Sequence, residues 1–277
     1  MTITFTDPNI QRRRELGAFL RSRRERTSPQ QVGLPGSSRR RTPGLRREEL
    51  AAVAGISVTW YTFLEQGRDV NPSEQVLGAI AEALGLDDAE RSYVLALSSD
   101  VPALQEGDDR SVAPEVADVL RMVEPNPAYV TGSAFELLAW NESAADLFRD
   151  ATTAPDPNLV LWVFLAPAAR DALCDWSGIA QGVLARFRTS AGRHPGSATL
   201  ARVQSELLDA SPEAREWWPR YDIGENRAGA KRVRTLSGQI LLLSYASFRV
   251  ADRPDQVLTI HRPIEAAGVP EGGRAGS

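Results

Sequence analysis

The sequence is poor in the residues that build disulfides and metal centres, and it lacks long hydrophobic runs. It contains one cysteine, Cys174, and two histidines, His194 and His261, so an internal disulfide is excluded and a zinc site is disfavoured. No segment approaches the roughly 18 apolar residues that a membrane-spanning helix needs, and no apolar stretch follows the charged N-terminus as it does in a signal peptide. We therefore expect a cytoplasmic protein that has no membrane partner, no metal and no cofactor.

Lysine is almost absent, with one residue against 31 arginines, and the arginines cluster at one end of the chain. The first 50 residues hold twelve arginines and five acidic residues, a net charge of +7. Because the whole chain carries −4, the remainder carries −11. A basic segment favours binding to phosphate groups, since each neutralised phosphate releases condensed counterions. A solvated arginine-rich surface would explain the same charge about equally well.

The length of the chain and the change in its sequence pattern predict two domains. The chain has 277 residues, of which 42% are hydrophobic and 25% are charged, which is ordinary globular composition. Helical patterns run to about residue 99, and a polar, acidic stretch without periodicity follows. These features predict an all-α domain over 10–99, a linker over 100–113, a second domain over 114–265 and a flexible tail over 266–277.

The first domain is predicted to consist of five short helices. Apolar residues recur at helical spacing, and Gly55, Gly67 and Gly85 follow three of the segments as predicted helix ends. The predicted helices cover about 10–26, 45–54, 57–66, 73–84 and 87–98. Between the first two, residues 27–44 contain three prolines and three glycines and are predicted to form a loop.

The second domain mixes helices and strands. A helix over 114–123 precedes a predicted hairpin that turns at Gly132-Ser133, and Asn141 begins a short helix that ends near Arg149. Further helices are predicted near 167–191, 196–210 and 212–220, followed by strands over 231–235, 239–250 and 256–261. Strands at both ends with helices between them predict an antiparallel sheet covered on one face by helices.

Residues 46–68 have the pattern of a helix-turn-helix. Two short helices flank Gly55-Ile56-Ser57, and small Ala51 allows the helices to cross closely. In this motif the second helix enters the major groove of DNA with its N-terminal residues at the base edges. An ordinary corner between two helices is the alternative, and the flanking arginines favour the DNA-binding interpretation.

Three N-terminal segments carry a family resemblance: RRRTPGLRREELAAVAGIS at 39–57, WYTFLEQGR at 60–68 and NPSEQVLGAIAEALGL at 71–86. Together with PAYVTGSAFELLAWN at 127–141 and SPEAREWWPRYDI at 211–223, they make the chain resemble Xre-type helix-turn-helix regulators of the MmyB-like actinobacterial group. The resemblance implies a lambda-repressor-like all-α DNA-binding domain joined to a PAS-like sensor domain. It also implies a homodimer that binds a near-palindromic operator in double-stranded DNA.

The resemblance also assigns DNA-binding positions. Five residues fall on the exposed side of the recognition helix: Ser57, Val58, Thr59, Thr62 and Phe63. The threonine hydroxyls can hydrogen-bond base edges, and the valine and phenylalanine side chains can contact thymine methyl groups. Three arginines at the helix ends suit phosphate contacts: Arg46, Arg47 and Arg68.

Other residues of this region are open to two interpretations. We favour core packing over a groove contact for Trp60, and a structural ion pair, with Arg68 as the expected partner, for Glu65. Arg39, Arg40 and Arg41 lie in the predicted loop. They either reach a neighbouring groove or phosphate, or belong to a solvated loop.

The second domain lacks the motifs of common enzymes. It has no glycine-rich phosphate loop, GxSxG, HExxH or CxxC motif. It is instead rich in aromatic residues, which line apolar ligand pockets but are also ordinary core residues. We expect a small apolar or lipid-like effector, with four aromatic residues as pocket candidates: Trp140, Trp162, Phe164 and Trp176.

Two alternatives come from other functional classes. The second domain of a constitutive DNA-binding regulator would serve only dimerisation or partner contacts, and a filled core would favour that case. An enzyme fused to a DNA-binding domain would instead have a cleft with convergent titratable groups of perturbed pKa.

Overall fold

The computed structural model describes residues 7–35, 44–99, 110–225 and 228–264. Contacts divide the chain into two compact units, unit 1 with residues 1–109 and 181–225, and unit 2 with residues 110–180 and 226–277. Residues 181–225 lie within the predicted second domain but pack with the N-terminal helices. The predicted domain limits stay a prediction. The predicted tail, most of the predicted linker and the arginine run at 39–41 lie outside the described residues.

The described residues form helices and one sheet. In chain order, the helices are α1 (Pro8–Arg26), α2 (Arg47–Val53), α3 (Val58–Glu65), α4 (Glu74–Ala83), α5 (Asp88–Ser98), α6 (Pro114–Met122), α7 (Glu142–Leu147), α8 (Arg149–Thr152), α9 (Leu159–Leu165), α10 (Pro167–Ala172), α11 (Trp176–Arg193), α12 (Ala198–Ala210) and α13 (Pro212–Trp217). The strands are β1 (Ala128–Thr131), β2 (Leu137–Trp140), β3 (Gly229–Arg234), β4 (Ile240–Val250) and β5 (Arg253–Pro263).

Several helices of unit 1 begin after a residue whose side chain accepts from a free backbone N–H group of the first turn. The Asp7 carboxylate accepts from the Asn9 N–H at 2.8 Å, and the Asp87 carboxylate accepts from the Glu90 N–H at 2.9 Å. The predicted loop after α1 is partly wrong, because Pro29–Val32 forms a short 3-10 helix. Its first turn is closed by the Gln31 side chain, which accepts from the Ser28 N–H at 2.6 Å.

The core of unit 1 joins α1, α3, α4 and α5 through buried side chains. Phe19 on α1 meets Tyr93 on α5 edge to face, with ring centroids 5.4 Å apart, and both side chains are fully buried. Tyr221 and Ile223 pack against the same core. The segment 181–225 therefore contributes to the hydrophobic core of the helix-turn-helix unit.

Arg188 on α11 attaches this segment to α1. Its side chain is 2% exposed, and its Nη1 donates to Glu15 Oε1 at 2.7 Å. The Tyr93 hydroxyl donates to the same carboxylate oxygen at 2.9 Å. The guanidinium lies 3.9 Å from the ring centroid of Trp218 and 4.1 Å from that of Tyr221. A buried charge is tolerated here because it is paired and stacked on aromatic rings.

The prediction of a single helix over 167–191 is wrong, because the helix is interrupted between α10 and α11. Leu173 bridges to Val233 in antiparallel fashion, and the Cys174 N–H donates to the Arg232 carbonyl at 3.1 Å. These backbone groups pair with the edge strand β3 instead of continuing the helix. Helix α9 was not predicted, since its short apolar sequence has no periodicity that separates a helix from a strand.

The described part of unit 2 contains a five-stranded antiparallel sheet in the order β2-β1-β5-β4-β3, which confirms the predicted fold class. Helices α7 to α10 cover the face that carries Tyr129, Val233 and His261. Helix α6 packs on the opposite face, against Val130 and Leu258. The expectation that helices cover one face is therefore incomplete, because the apolar stripe of α6 covers part of the other.

Candidate DNA-binding face and ligand cavity

The turn between α2 and α3 depends on glycine at position 55. Gly55 has a φ of 67°, a left-handed conformation that costs glycine little. Its N–H donates to the Ala52 carbonyl at 3.3 Å, and the Ile56 N–H donates to Ala51 at 2.9 Å, which closes α2. Ser57 then begins α3, its hydroxyl accepting from the Trp60 N–H at 3.4 Å. The result is the predicted helix-turn-helix.

The side chains predicted to contact DNA share one side of α3. Ser57, Val58 and Thr59 are exposed, and Thr62 and Phe63 are half-buried. The Thr62 hydroxyl donates to the Val58 carbonyl at 2.8 Å, which leaves its oxygen lone pairs available as acceptors. Trp60 is half-buried and packs against the core of unit 1, in agreement with the interpretation that we favoured.

Glu65 joins three helices, and the predicted pair with Arg68 is wrong. The Glu65 side chain is 1% exposed and accepts from Arg24 Nε at 2.7 Å and from Arg24 Nη2 at 3.0 Å. It also accepts from Arg47 Nε at 2.8 Å. Arg68 instead places its guanidinium carbon 4.5 Å from the centroid of the Phe63 ring. The partners of Glu65 are 41 and 18 residues away, so local spacing could not identify them.

The two arginines keep Glu65 ionised. Burial by itself raises the pKa of this carboxyl, but the hydrogen bonds and charges of Arg24, and then of Arg47, outweigh burial and hold the pKa below its ordinary value. The guanidinium of Arg47 is consequently fixed beside the start of α2, with its side chain 40% exposed.

Two other cations lie at the ends of the helix-turn-helix. Arg46 and Arg68 are exposed, and Arg46 Nη1 lies 4.0 Å from Glu48 Oε1 in a solvent-exposed pair. Such a pair is weak and gives way easily to a phosphate. Arg46 and Arg47 lie at the start of α2, and Arg68 lies just after α3, so both ends of the helix-turn-helix carry positive charge.

Unit 2 contains a cavity of about 440 Å³. It lies between α7, α8, α9 and α10 on one side, and on the other the turn from β3 to β4, the start of β4 and the end of β5. The residues that line it are Pro125, Pro127, Ser143, Asp146, Leu147, Asp150, Trp162, Ala168, Ala172, Arg234, Thr235, Leu236, Ser237, Leu241, Leu243 and Pro263.

The lining combines apolar side chains with a few polar groups. Trp162 and Leu243 are buried, whereas Asp146, Asp150 and Arg234 are exposed. The Trp162 indole Nε1 is buried and has no hydrogen-bond partner among the described residues. A buried donor without a partner costs free energy, and a ligand acceptor in the cavity is a group that could satisfy it.

Of the four aromatic residues predicted to line a pocket, one lines this cavity. Trp162 lines the cavity. Phe164 and Trp176 contact each other edge to face at 6.0 Å, and the Trp176 indole donates to the Val163 carbonyl at 2.7 Å. Trp140 is half-buried at the end of β2, opposite Tyr129. These three residues are not part of the cavity lining.

A buried aromatic cluster surrounds His261 on the same face of the sheet. His261 Nδ1 donates to the Pro127 carbonyl at 3.3 Å, and the rings of Tyr129, Phe148 and Tyr245 lie 5.6 to 5.9 Å from the imidazole. Burial, together with the charge of Lys231, lowers the pKa of His261 to about 2. This histidine is therefore neutral, a core residue and not a switch at physiological pH.

Comparison with family models identifies the two regions. A model of the MmyB-like transcription regulator ligand binding domain matches residues 112–267, more than half of the chain. The chain belongs to this family. A helix-turn-helix domain model matches residues 15–94 of the MmyB-like protein, and no curated protein matches it.

These matches confirm the predicted resemblance to MmyB-like regulators. The MmyB-like protein is a DNA-binding transcriptional regulator, and both matched domains are of regulator type. Within the described ranges, no helix is long and apolar enough to cross a membrane. Nor do these ranges contain a group of three or more His, Cys, Asp or Glu side chains that could hold a metal ion.

Proposed function

We propose that the protein binds a specific, near-palindromic operator as a homodimer, and that a small, largely apolar effector in the unit 2 cavity changes its affinity for DNA. The observation that carries the proposal is the cavity, with its apolar lining and the unpartnered Trp162 N–H. An effector shifts DNA affinity only as far as it binds one state of the protein more tightly than the other.

The DNA-binding part is supported by the exposed side of α3. Ser57, Thr59 and Thr62 offer hydroxyl groups of the kind that read base edges, and Val58 offers an apolar contact for a thymine methyl group. Phe63 supports the Arg68 guanidinium by stacking. We propose Arg46, Arg47 and Arg68 as phosphate contacts that set the position of α3 on the duplex.

Selection of bound DNA from random sequences, followed by affinity measurements over a range of salt, tests this part. Arg68→Ala should weaken binding to all sequences and reduce the salt slope by about one, whereas Thr59→Ala should relax the preference at one base pair. Arg202→Ala is the matched control, because Arg202 is an exposed arginine of unit 1 on α12. If Arg68→Ala and Thr59→Ala both bind DNA like the wild type, α3 is not the recognition helix.

The effector part is supported by the size and chemistry of the cavity. A volume of about 440 Å³ is in the range of small-molecule sites, which combine an apolar lining with a few polar groups. The buried Trp162 N–H requires an acceptor, so we propose an effector that combines apolar bulk with a carbonyl, carboxylate or hydroxyl oxygen.

Screening fatty acids and polyketides for a shift in melting temperature tests the effector, followed by operator affinity with and without each hit. A ligand at about 100 times its Kd stabilises the fold by about 2.7 kcal/mol. Trp162→Phe keeps an aromatic side chain, although a smaller one, and removes the indole N–H, and it should weaken binding of a hit about five- to tenfold. Trp176→Phe is the control, because its donor bonds to Val163 outside the cavity.

The results separate sensing from constitutive regulation. A hit that changes operator affinity in the wild type, and binds more weakly to Trp162→Phe but not to Trp176→Phe, supports the proposal. Operator binding that no bound molecule changes would favour a constitutive regulator and would contradict sensing at this cavity.

A further inference from the structure

Exposed large apolar side chains are concentrated on one face of the sheet. Among the described residues, nine large hydrophobic side chains are exposed. Three of them lie on β4, Ile240, Leu242 and Phe248, and a fourth, Ile264, directly follows β5. Ile240, Leu242 and Phe248 occupy alternate positions of β4, so they point to the same side. The Ile264 N–H donates to the Leu242 carbonyl at 2.8 Å, which continues the face onto the next strand.

Helix α6 already covers the other half of this face. Phe248 is paired with Leu258, and Ala246 is paired with Ile260. Leu258 and Ile260 pack against α6, whereas Phe248 is 54% exposed. The covered and the open halves thus form one continuous surface, in which apolar packing stops at β4. A large exposed apolar patch of this kind marks an interaction site.

We infer that a second copy of this chain covers the open half, so that the α6 face of unit 2 is the dimer interface. The inference rests on the proposal that the protein acts as a homodimer, and it assigns the surface through which the two copies associate. A two-fold interface uses the same patch on both copies, so the patch must be complementary to itself.

Charge supports this complementarity. Arg232 is paired with Leu242, and Arg262 is paired with Ser244, so both arginines border the open half, and both are exposed. The outer side of α6 carries exposed Glu115 and Asp118, the latter in an exposed ion pair with Arg121. When α6 of each copy approaches the open half of the other, its carboxylates meet arginines in both directions.

The dimensions also fit. Strand β4 has 11 residues, which gives a length of about 36 Å, and adjacent strands are about 4.8 Å apart. An open face two to three strands wide therefore offers roughly 400 Å² per copy. The exposed side of α6, which has 9 residues and includes Met122, adds roughly 140 Å². Two such patches bury roughly 1,100 Å² in total, just above the roughly 1,000 Å² that a specific interface needs.

Sedimentation velocity of the full-length protein without DNA tests the inference. The wild type should be dimeric at micromolar concentration, and Leu242→Asp and Phe248→Asp should each weaken dimerisation at least about tenfold, because they place a charge in an apolar contact. Leu95→Asp is the control, since Leu95 is 41% exposed and Leu242 is 38% exposed, and it should leave the dimer intact. Circular dichroism confirms that each variant is folded.

Hydroxyl-radical footprinting of the wild type gives a readout that does not depend on any variant. Oxidation of Phe248 and Met122 should slow as the protein concentration rises through the dimerisation range, while oxidation of Leu95 stays constant. Concentration-dependent protection of this kind supports the inference even where an aspartate variant fails to fold.

Three outcomes overturn the inference. If the wild type is a dimer that Leu242→Asp and Phe248→Asp leave unchanged, another surface forms the dimer and only this assignment fails. If the wild type is monomeric, the homodimer of the proposed function fails as well. If a monomer protects Phe248 at every concentration, another segment of the same chain covers the face.

Discussion

Glu65→Gln is the substitution whose effect the structure defines best. It keeps the shape of a side chain that is 1% exposed but removes the charge that faces Arg24 and Arg47. Breaking a buried ion pair by removing one partner costs about 3–5 kcal/mol, because the other charge stays buried without compensation. Arg47 is 40% exposed and can turn to water. We therefore expect the low end, a loss of about 3 kcal/mol in the free energy of unfolding.

The matched control is Glu216→Gln. Glu216 also accepts from an arginine at 2.7 Å, Arg220, but its side chain is 69% exposed. Exposed pairs of this type contribute at most about 1 kcal/mol and often much less. The same chemical change at the same separation should therefore cost several times more at Glu65. Urea denaturation followed by circular dichroism gives both free energies.

The pH dependence gives the comparison a second criterion. The folded pKa of Glu65 lies below its ordinary value of 4.5, so its ionisation stabilises the folded state above that value. This contribution is lost as the pH falls through the folded pKa. The difference between wild type and Glu65→Gln should be largest near pH 7 and should shrink as the pH falls below 4.5 toward the folded pKa. Equal losses in the two variants, or a loss at Glu65 that does not change with pH, would refute the reasoning.

Other predictions follow from close packing and burial. Gly192→Ala should destabilise the fold by about 1–3 kcal/mol, because an added Cβ overlaps the Tyr93 ring. In the same helix, a Cβ added at Gly182 would have no atom within 4 Å, so Gly182→Ala should stabilise the fold by about 0.5–1 kcal/mol. Melting curves that do not separate the two variants would contradict this packing. Arg188→Met should lower the free energy of unfolding by about 2–3 kcal/mol in urea denaturation, and wild-type stability would argue against its buried pairing. Burial lowers the pKa of His261 to about 2, so NMR should show no titration of its imidazole above about pH 4. Because the unfolded chain binds this proton near pH 6.5, the free energy of unfolding should fall as the pH drops below 6.5. A titration near pH 6.5 in the folded protein would disprove the burial of this side chain.

Residues 181–225 belong to the ligand-binding family by sequence but pack with the helix-turn-helix in unit 1. They lie within the family match at 112–267, yet they pack in unit 1 through Arg188, Tyr221 and Ile223. Substitutions in this segment are therefore expected to change the stability of the DNA-binding unit as well. Measuring operator affinity alongside urea denaturation of Arg188→Met would show whether the two properties change together.

The sequence alone determined the local features of the protein. Helical periodicity and residues such as Ser57 and Gly55 predict α2, the turn and α3, because capping and left-handed turns depend on neighbours within four residues. The same local logic predicts the strands of unit 2. The exposed side of α3 follows as well, since the position of a side chain around a helix is fixed by its spacing.

Only the tertiary structure decided which distant residues meet. Glu65 pairs with Arg24 and Arg47. The helix predicted over 167–191 is interrupted because Leu173 and Cys174 pair with β3. The cavity is lined from several helices and from the turn between β3 and β4, so one of four aromatic candidates lines it. Ion pairs, strand pairing and cavities depend on chain closure over tens of residues, and no periodicity within a short segment encodes them.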